Sequence, residues 1–180
     1  MGEGMTATLP WHDAPHVSEP YIRQDAETRR WAAKAWQPEG SVTREQLLTF
    51  AQNRIAELTG PDGLAAPLGW EPVHNAIASF TMSVLAVLVS RDDVATPQVG
   101  PTPEGGINVE WLVSGDSLSV TADLDGLSIV AQFESGDNFF QPYFWDYSDG
   151  EIANLKRVLT SAARFLEKIS TGIQQRLPVR

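Results

Sequence analysis

A chain of 180 residues, 42% of them hydrophobic, can bury one sizeable core, so a single domain with an extension is expected. A formal charge of −10 and a pI near 4.6 exclude a broad phosphate-gripping face, and direct contact with nucleic acid is not expected. The lack of cysteine excludes disulfides, thiolate catalysis and Cys-ligated zinc.

Residues 1–40 carry four prolines, scattered charges and no sustained apolar period. They read as an extended or partly disordered segment ahead of a single domain at 41–180. Trp31, Ala32, Ala35 and Trp36 are three and four apart, so a short amphipathic turn could dock by its two indoles, on the protein itself or on a partner. Met1-Gly2-Glu3-Gly4-Met5 lacks the basic and apolar regions of a secretory signal.

The first helix is expected over Thr43–Thr59. Leu47, Leu48, Ala51, Ile55 and Leu58 form its apolar stripe, Thr43 and Gln46 have capping-box spacing, and Gly60-Pro61 stops it. A loop with three glycines and three prolines runs from Gly60 to Pro72. A second helix over Val73–Ser90 is apolar nearly all round, which predicts a position central to the core. Its most apolar run, Ala76–Val89, is about 14 residues and falls short of the roughly 20 that cross a bilayer. A soluble, cytoplasmic protein without membrane contact is therefore expected.

From Pro97 the period becomes two. Ile107, Val109, Trp111 and Val113 share one face; Leu118, Val120 and Ala122 repeat the pattern, as do Leu127, Ile129, Ala131 and Phe133. Ser114-Gly115-Asp116 and Asp125-Gly126 mark the turns. The opposite face should carry Asn108, Glu110, Ser117, Ser119, Thr121, Asp123, Ser128 and Gln132. An aromatic connection, Phe139 to Tyr147, follows, and Ser148 with Glu151 has capping-box spacing for a last helix. Ile152, Leu155, Val158, Leu159, Ala162, Phe165, Leu166 and Ile169 give that helix about 20 residues of period. The expected fold is α+β: a three- to four-stranded antiparallel meander on about three helices, the C-terminal one long.

Two features stand out. Between Asp92 and Leu155 there are twelve carboxylates and no Lys or Arg. Beyond it, Lys156, Arg157, Arg164, Lys168, Arg176 and Arg180 face only Glu167, so a basic helix beside an acidic sheet suggests internal charge complementarity. Inside the void lies Pro101-Thr102-Pro103-Glu104-Gly105-Gly106-Ile107-Asn108-Val109-Glu110-Trp111. With the Gly-rich loop Gly60–Pro67 and the apolar helix, this phrase resembles a group of small uncharacterised bacterial proteins that share a Pro-Thr-Pro-x-Gly-Gly-hydrophobic-x-hydrophobic-Glu-Trp strand. The likeness spans about residues 55–135. It implies a bacterial α+β domain and carries no activity with it.

Catalytic constellations are sparse. Glu110 lies outward on its strand, where it reads as a solvated carboxylate or as a base or clamp for a basic group. Gly105-Gly106 precede a strand, so they form a turn or bulge and not a phosphate loop. His74 reads as a packed or capping residue. His12, Asp13 and His16 sit in the extension, and no metal or cofactor is assigned. There is no Gly-x-Ser-x-Gly, and paired aspartates fit turns. Six aromatics in the nine residues 139–147 can close the sheet over the last helix or present an interface, with Tyr143, Trp145 and Tyr147 the candidates to show an edge.

The leading expectation is a non-enzymatic bacterial interaction module, an acidic adaptor or antitoxin/immunity-like protein that binds a basic protein. Glu110, Tyr143, Trp145, Tyr147, Trp31 and Trp36 are its candidate contact residues. Two alternatives stand beside it. One is a small-molecule binder or hydrolase with a cleft where Glu110, Trp111 and His74 converge. The other is a virion or assembly component whose extension threads into a neighbour, which allows a homo-oligomer.

Overall fold

The computed structural model describes residues 42–59, 63, 65–147 and 152–174. The expected extension, the Gly60-Pro61 stop and the Ser148–Glu151 box lie outside them.

Helix α1 (Arg44–Leu58) begins as its sequence requires. The Thr43 hydroxyl accepts from Gln46 N–H at 3.2 Å, and Gln46 Oε1 accepts from Thr43 N–H at 3.0 Å. Leu47, Ala51, Ile55 and Leu58 face the core. A 3₁₀ turn over Ala66–Leu68 leads to helix α2 (Asn75–Leu88). Arg44 ties the two helices together: Nε donates to Val89 O at 2.7 Å and Nη2 to Ala86 O at 3.1 Å, so a cation satisfies carbonyls at the C-terminal end of α2.

Helix α2 is not central. Ile77, Thr81, Val84, Leu85 and Leu88 are buried, but Ala76, Ser79, Ser83, Ala86 and Val87 are exposed. The exposed side is small, not polar, so its composition hides an ordinary amphipathic helix. No helix among the described residues is long and apolar enough to cross a membrane.

The sheet has five antiparallel strands in meander order: β1 (Gln98–Pro101), β2 (Ile107–Val113), β3 (Asp116–Ala122), β4 (Gly126–Gln132) and β5 (Tyr143–Asp146). An expectation of three to four strands undercounts the edges. β1 is four residues containing Gly100 and Pro101, and in β5 every neighbour is bulky, so neither shows a period of two. The long helix α3 (Ile152–Gln174) follows. It packs on β2, β3 and β4; α2 packs on β2 and β3, and α1 on β1. The three described helices therefore cover one face, and the fold is α+β. Trp111, Phe165, Leu118, Ile129 and Leu166 are the centre of the core.

The Pro101–Trp111 phrase is the β1–β2 hairpin. Thr102 N–H donates to Gly106 O at 3.0 Å, and Gly106 N–H donates to the Thr102 hydroxyl at 2.9 Å. Pro103 O accepts from Glu71 N–H at 3.1 Å, which fastens the turn to the loop before α2. A Cβ on Gly106 would lie 2.5 Å from Ala122 O, so only glycine fits. Thr102→Val should lower stability by about 1–3 kcal/mol, because it leaves a buried N–H without an acceptor. Thr102→Ser should restore most of that loss, and urea unfolding of the pair measures the difference.

The free edge of β1 is guarded. Val99 O accepts from Arg54 Nε at 3.4 Å, so the outward groups of the strand are those of Val99 and, by parity, Pro101. Proline has no N–H to offer an incoming strand.

Candidate functional site

With the described helices on one side, no other described element covers the opposite face of the sheet, which is open among the described residues. Its side chains follow from the register. One row runs Gly100, Asn108, Thr121, Ser128, Phe144; the next runs Gln98, Glu110, Ser119, Val130; a third has Leu112, Ser117 and Gln132. Asn108 Oδ1 accepts from the hydroxyls of Ser119 and Thr121, each at 3.0 Å, which locks three side chains of adjacent strands. Asp123, expected on this face, lies past the end of β3. Its carboxylate caps the tight turn by accepting from Asp125 and Gly126 N–H, both at 2.9 Å.

Two large apolar residues stand on this face among small polar ones: Leu112 is 63% exposed and Phe144 is 56% exposed. Neither is among the contact residues expected from sequence. Their signal was alternation itself. Leu112 falls on the polar parity of β2, and Phe144 on the parity opposite Tyr143 and Trp145.

Glu110 is half-buried on β2, next to Leu112 along the strand, and has no hydrogen-bond or ion-pair partner among the described residues. Trp111 points the other way. It is fully buried, and its indole N–H donates to Ala95 O at 2.8 Å. His74 is the exposed N-cap of α2, on the helix side of the sheet. The sheet thus separates Glu110 from Trp111 and His74, and the three do not form a cleft.

The aromatic run divides instead of closing over the last helix alone. Phe139 and Phe133 pack on Phe165 of α3, with ring centroids 4.9 and 5.6 Å away, and Lys168 Nζ lies 4.7 Å from the Phe133 ring. Trp145 and Tyr147 instead pack on Phe80 of α2, at 6.0 and 5.2 Å, and on each other at 5.4 Å. Tyr143 and Trp145 share the inner parity with Ile129 and Leu127, so both are half-buried scaffold. The Trp145 indole N–H is buried without an acceptor among the described residues.

Tyr147 does show an edge. It is 37% exposed, and its hydroxyl donates to Asp123 O at 3.0 Å. Burial, with the Asp123 carboxylate adding to it, raises its pKa above the ordinary 10.0. The neutral form is thus favoured by folding. Its stabilisation is complete below pH 10.0 and is lost as pH climbs through the raised value. Tyr147→Phe should flatten the alkaline limb of thermal stability measured from pH 9 to pH 11.5, by about the span of that titration.

Lys156, Arg157, Arg164 and Lys168 lie on the exposed side of α3, away from the sheet. Arg54–Glu57 and Arg91–Glu167 are ion pairs among the described residues, and neither joins a cation of α3 to a sheet carboxylate.

A cavity of about 350 Å³ lies between Arg91–Val94 and Glu167–Thr171. Its acids have structural duties. Asp92 accepts from Arg44 N–H at 2.7 Å, and Glu167 accepts from the Ser90 hydroxyl at 3.3 Å and pairs with Arg91 at 3.5 Å. No group of three His, Asp or Glu among the described residues could hold a metal ion. Trp31 and Trp36 lie outside the described residues. No family model, curated protein or solved structure matches the chain, so the open sheet face stands on its own chemistry.

Proposed function

We propose that the protein is a non-enzymatic interaction module, of acidic adaptor or antitoxin/immunity type, whose open sheet face binds a basic protein. One observation carries the reading: on the sheet face that no described helix covers, Leu112 is exposed beside Glu110, which has no partner among the described residues, and Phe144 is exposed three strands away, all on strands without a cation. Apolar anchors set among small polar groups are what interface centres use, and a carboxylate beside one of them selects a Lys or Arg. The hydroxyl and amide side chains are short and pre-ordered, so little side-chain entropy is lost on docking.

The test is affinity capture of a stoichiometric partner at low salt, then reconstitution with the purified partner. Glu110→Lys and Phe144→Ser should each weaken the complex at least tenfold, while Lys156→Glu on the helix side should not. Raising the salt should also weaken it, because contacts at an open surface are screened over about 10 Å at 0.1 M. A complex that survives both sheet substitutions and yields to the helix one would sink the proposal.

A further inference from the structure

The open face has a candidate occupant within the chain. Residues 28–37, Thr-Arg-Arg-Trp-Ala-Ala-Lys-Ala-Trp-Gln, hold three cations, two tryptophans and no carboxylate. They are the chemical complement of Glu110 beside Leu112. Cations favour the carboxylate, and an indole covers apolar surface with little loss of freedom. We infer that this segment docks on the open sheet face and competes with the outside partner, as a built-in inhibitor. The inference rests on the open face being the binding surface.

Reach is ample. The described chain starts at Val42, whose carbonyl accepts from Asp93 N–H at 3.0 Å in the connection leading to edge strand β1. Lys34 is eight residues earlier. At about 3.3–3.6 Å per residue those eight can span up to ~26–29 Å. Five strands spaced by about 4.8 Å make a face only ~19 Å wide, and Glu110 lies one strand in from β1. A tether this short holds the segment at an effective concentration on the order of millimolar, so an intrinsic Kd of about 1 mM already occupies half the sites.

Tethering also fixes the consequence. Replacing the cations should expose the face and raise the apparent affinity of anything that uses it. Carbodiimide coupling of the full chain at low salt, followed by mass spectrometry, should find Lys34 joined to Glu110 within the monomer. The link should vanish in Glu110→Gln. A Lys34–Glu110 link confined to covalent dimers would make a second copy the occupant and overturn the inference. Coupling of Lys34 to Glu45 or Glu57 as readily as to Glu110, or no coupling, would overturn it too.

A second measurement uses a peptide of residues 28–37 added in trans. It should bind the full chain carrying Arg29→Ser, Arg30→Ser, Trp31→Ser and Lys34→Ser at least about twofold more tightly than the unaltered chain, and Glu110→Lys in that background should abolish binding. Equal affinity for altered and unaltered chains overturns the inference. Sensitivity of the partner complex to Glu110→Lys would survive that result, so failure here is distinct from failure of the docking surface itself.

Discussion

Replacing Trp111 with alanine should lower the unfolding free energy by about 3–5 kcal/mol, the range for removing a large aromatic from a core. Trp111 has 0% exposure and sits mid-sheet on β2, opposite Leu118. Its indole does more than fill volume. Ala95 is held from both sides, its carbonyl by Trp111 Nε1–H at 2.8 Å and its N–H by the Ser170 hydroxyl at 3.0 Å. Those bonds join the connection before β1 to the sheet and to α3. Alanine would leave a cavity and an orphan carbonyl together. Since a domain of this size is stable by only about 5–15 kcal/mol, the variant should be marginal. Trp111→Phe keeps most of the apolar area and loses the hydrogen bond, so about 1–3 kcal/mol is expected. Denaturant unfolding of the two variants separates volume from bond. Equal losses for Phe and Ala would mean that the bond to Ala95 dominates.

Most of this scaffold was legible where period and chemistry agreed. The Thr43–Gln46 box, the Leu47–Ile55 stripe and the three central strands each repeat a short-range rule, and the structure obeys it. The edges were not legible. β1 is short and holds a proline, and β5 is aromatic at every position but the last, so pairing partners and not pattern make them strands. Composition misled for α2, because alanine and serine form a small exposed side on a helix that looks uniformly apolar.

The candidate surface was half legible for a related reason. Alternation puts Glu110 outward, but it takes the whole sheet to show that no described helix covers that side. Until then a cleft with Trp111 and His74 stood as an alternative, although alternation already disfavours it. Adjacent strand residues project to opposite faces, so Glu110 and Trp111 could not have shared a pocket on a flat sheet. The aromatic run was read as one unit, whereas Pro142 and the start of β5 divide it between α3 and α2. What remains for recognition is Phe144, the residue of that run with outward parity on the strand.

That division makes Gly126 the position where scaffold and surface are most tightly linked. Gly126 pairs with Asp146 at the end of the β4–β5 ladder, and a Cβ there would overlap the carbonyl of Trp145 and crowd the Phe144 ring at 3.1 Å. The ring of Phe144 leans over the glycine, a contact that needs the missing side chain. Gly126→Ala must therefore push β5 away, with a loss at the upper end of the ~1–3 kcal/mol typical of overpacking or beyond it. Trp145 would part from Phe80, and Tyr147 from Asp123. Near-ultraviolet circular dichroism should lose its aromatic bands, and amide exchange should quicken in β5 while β2 and β3 stay protected. Partner binding should fall with it, since Phe144 moves, although Glu110 is untouched. Phe144→Ser supplies the contrast. It removes a half-exposed ring and its contact with Gly126, should lower stability by no more than about 1 kcal/mol, and should still weaken binding. If Gly126→Ala left both the aromatic bands and binding intact, the β5 edge would not be what positions the anchor. If it melted the edge and binding persisted, recognition would rest on Glu110 and Leu112 alone, and the docking footprint would be confined to the β1–β2 side of the sheet.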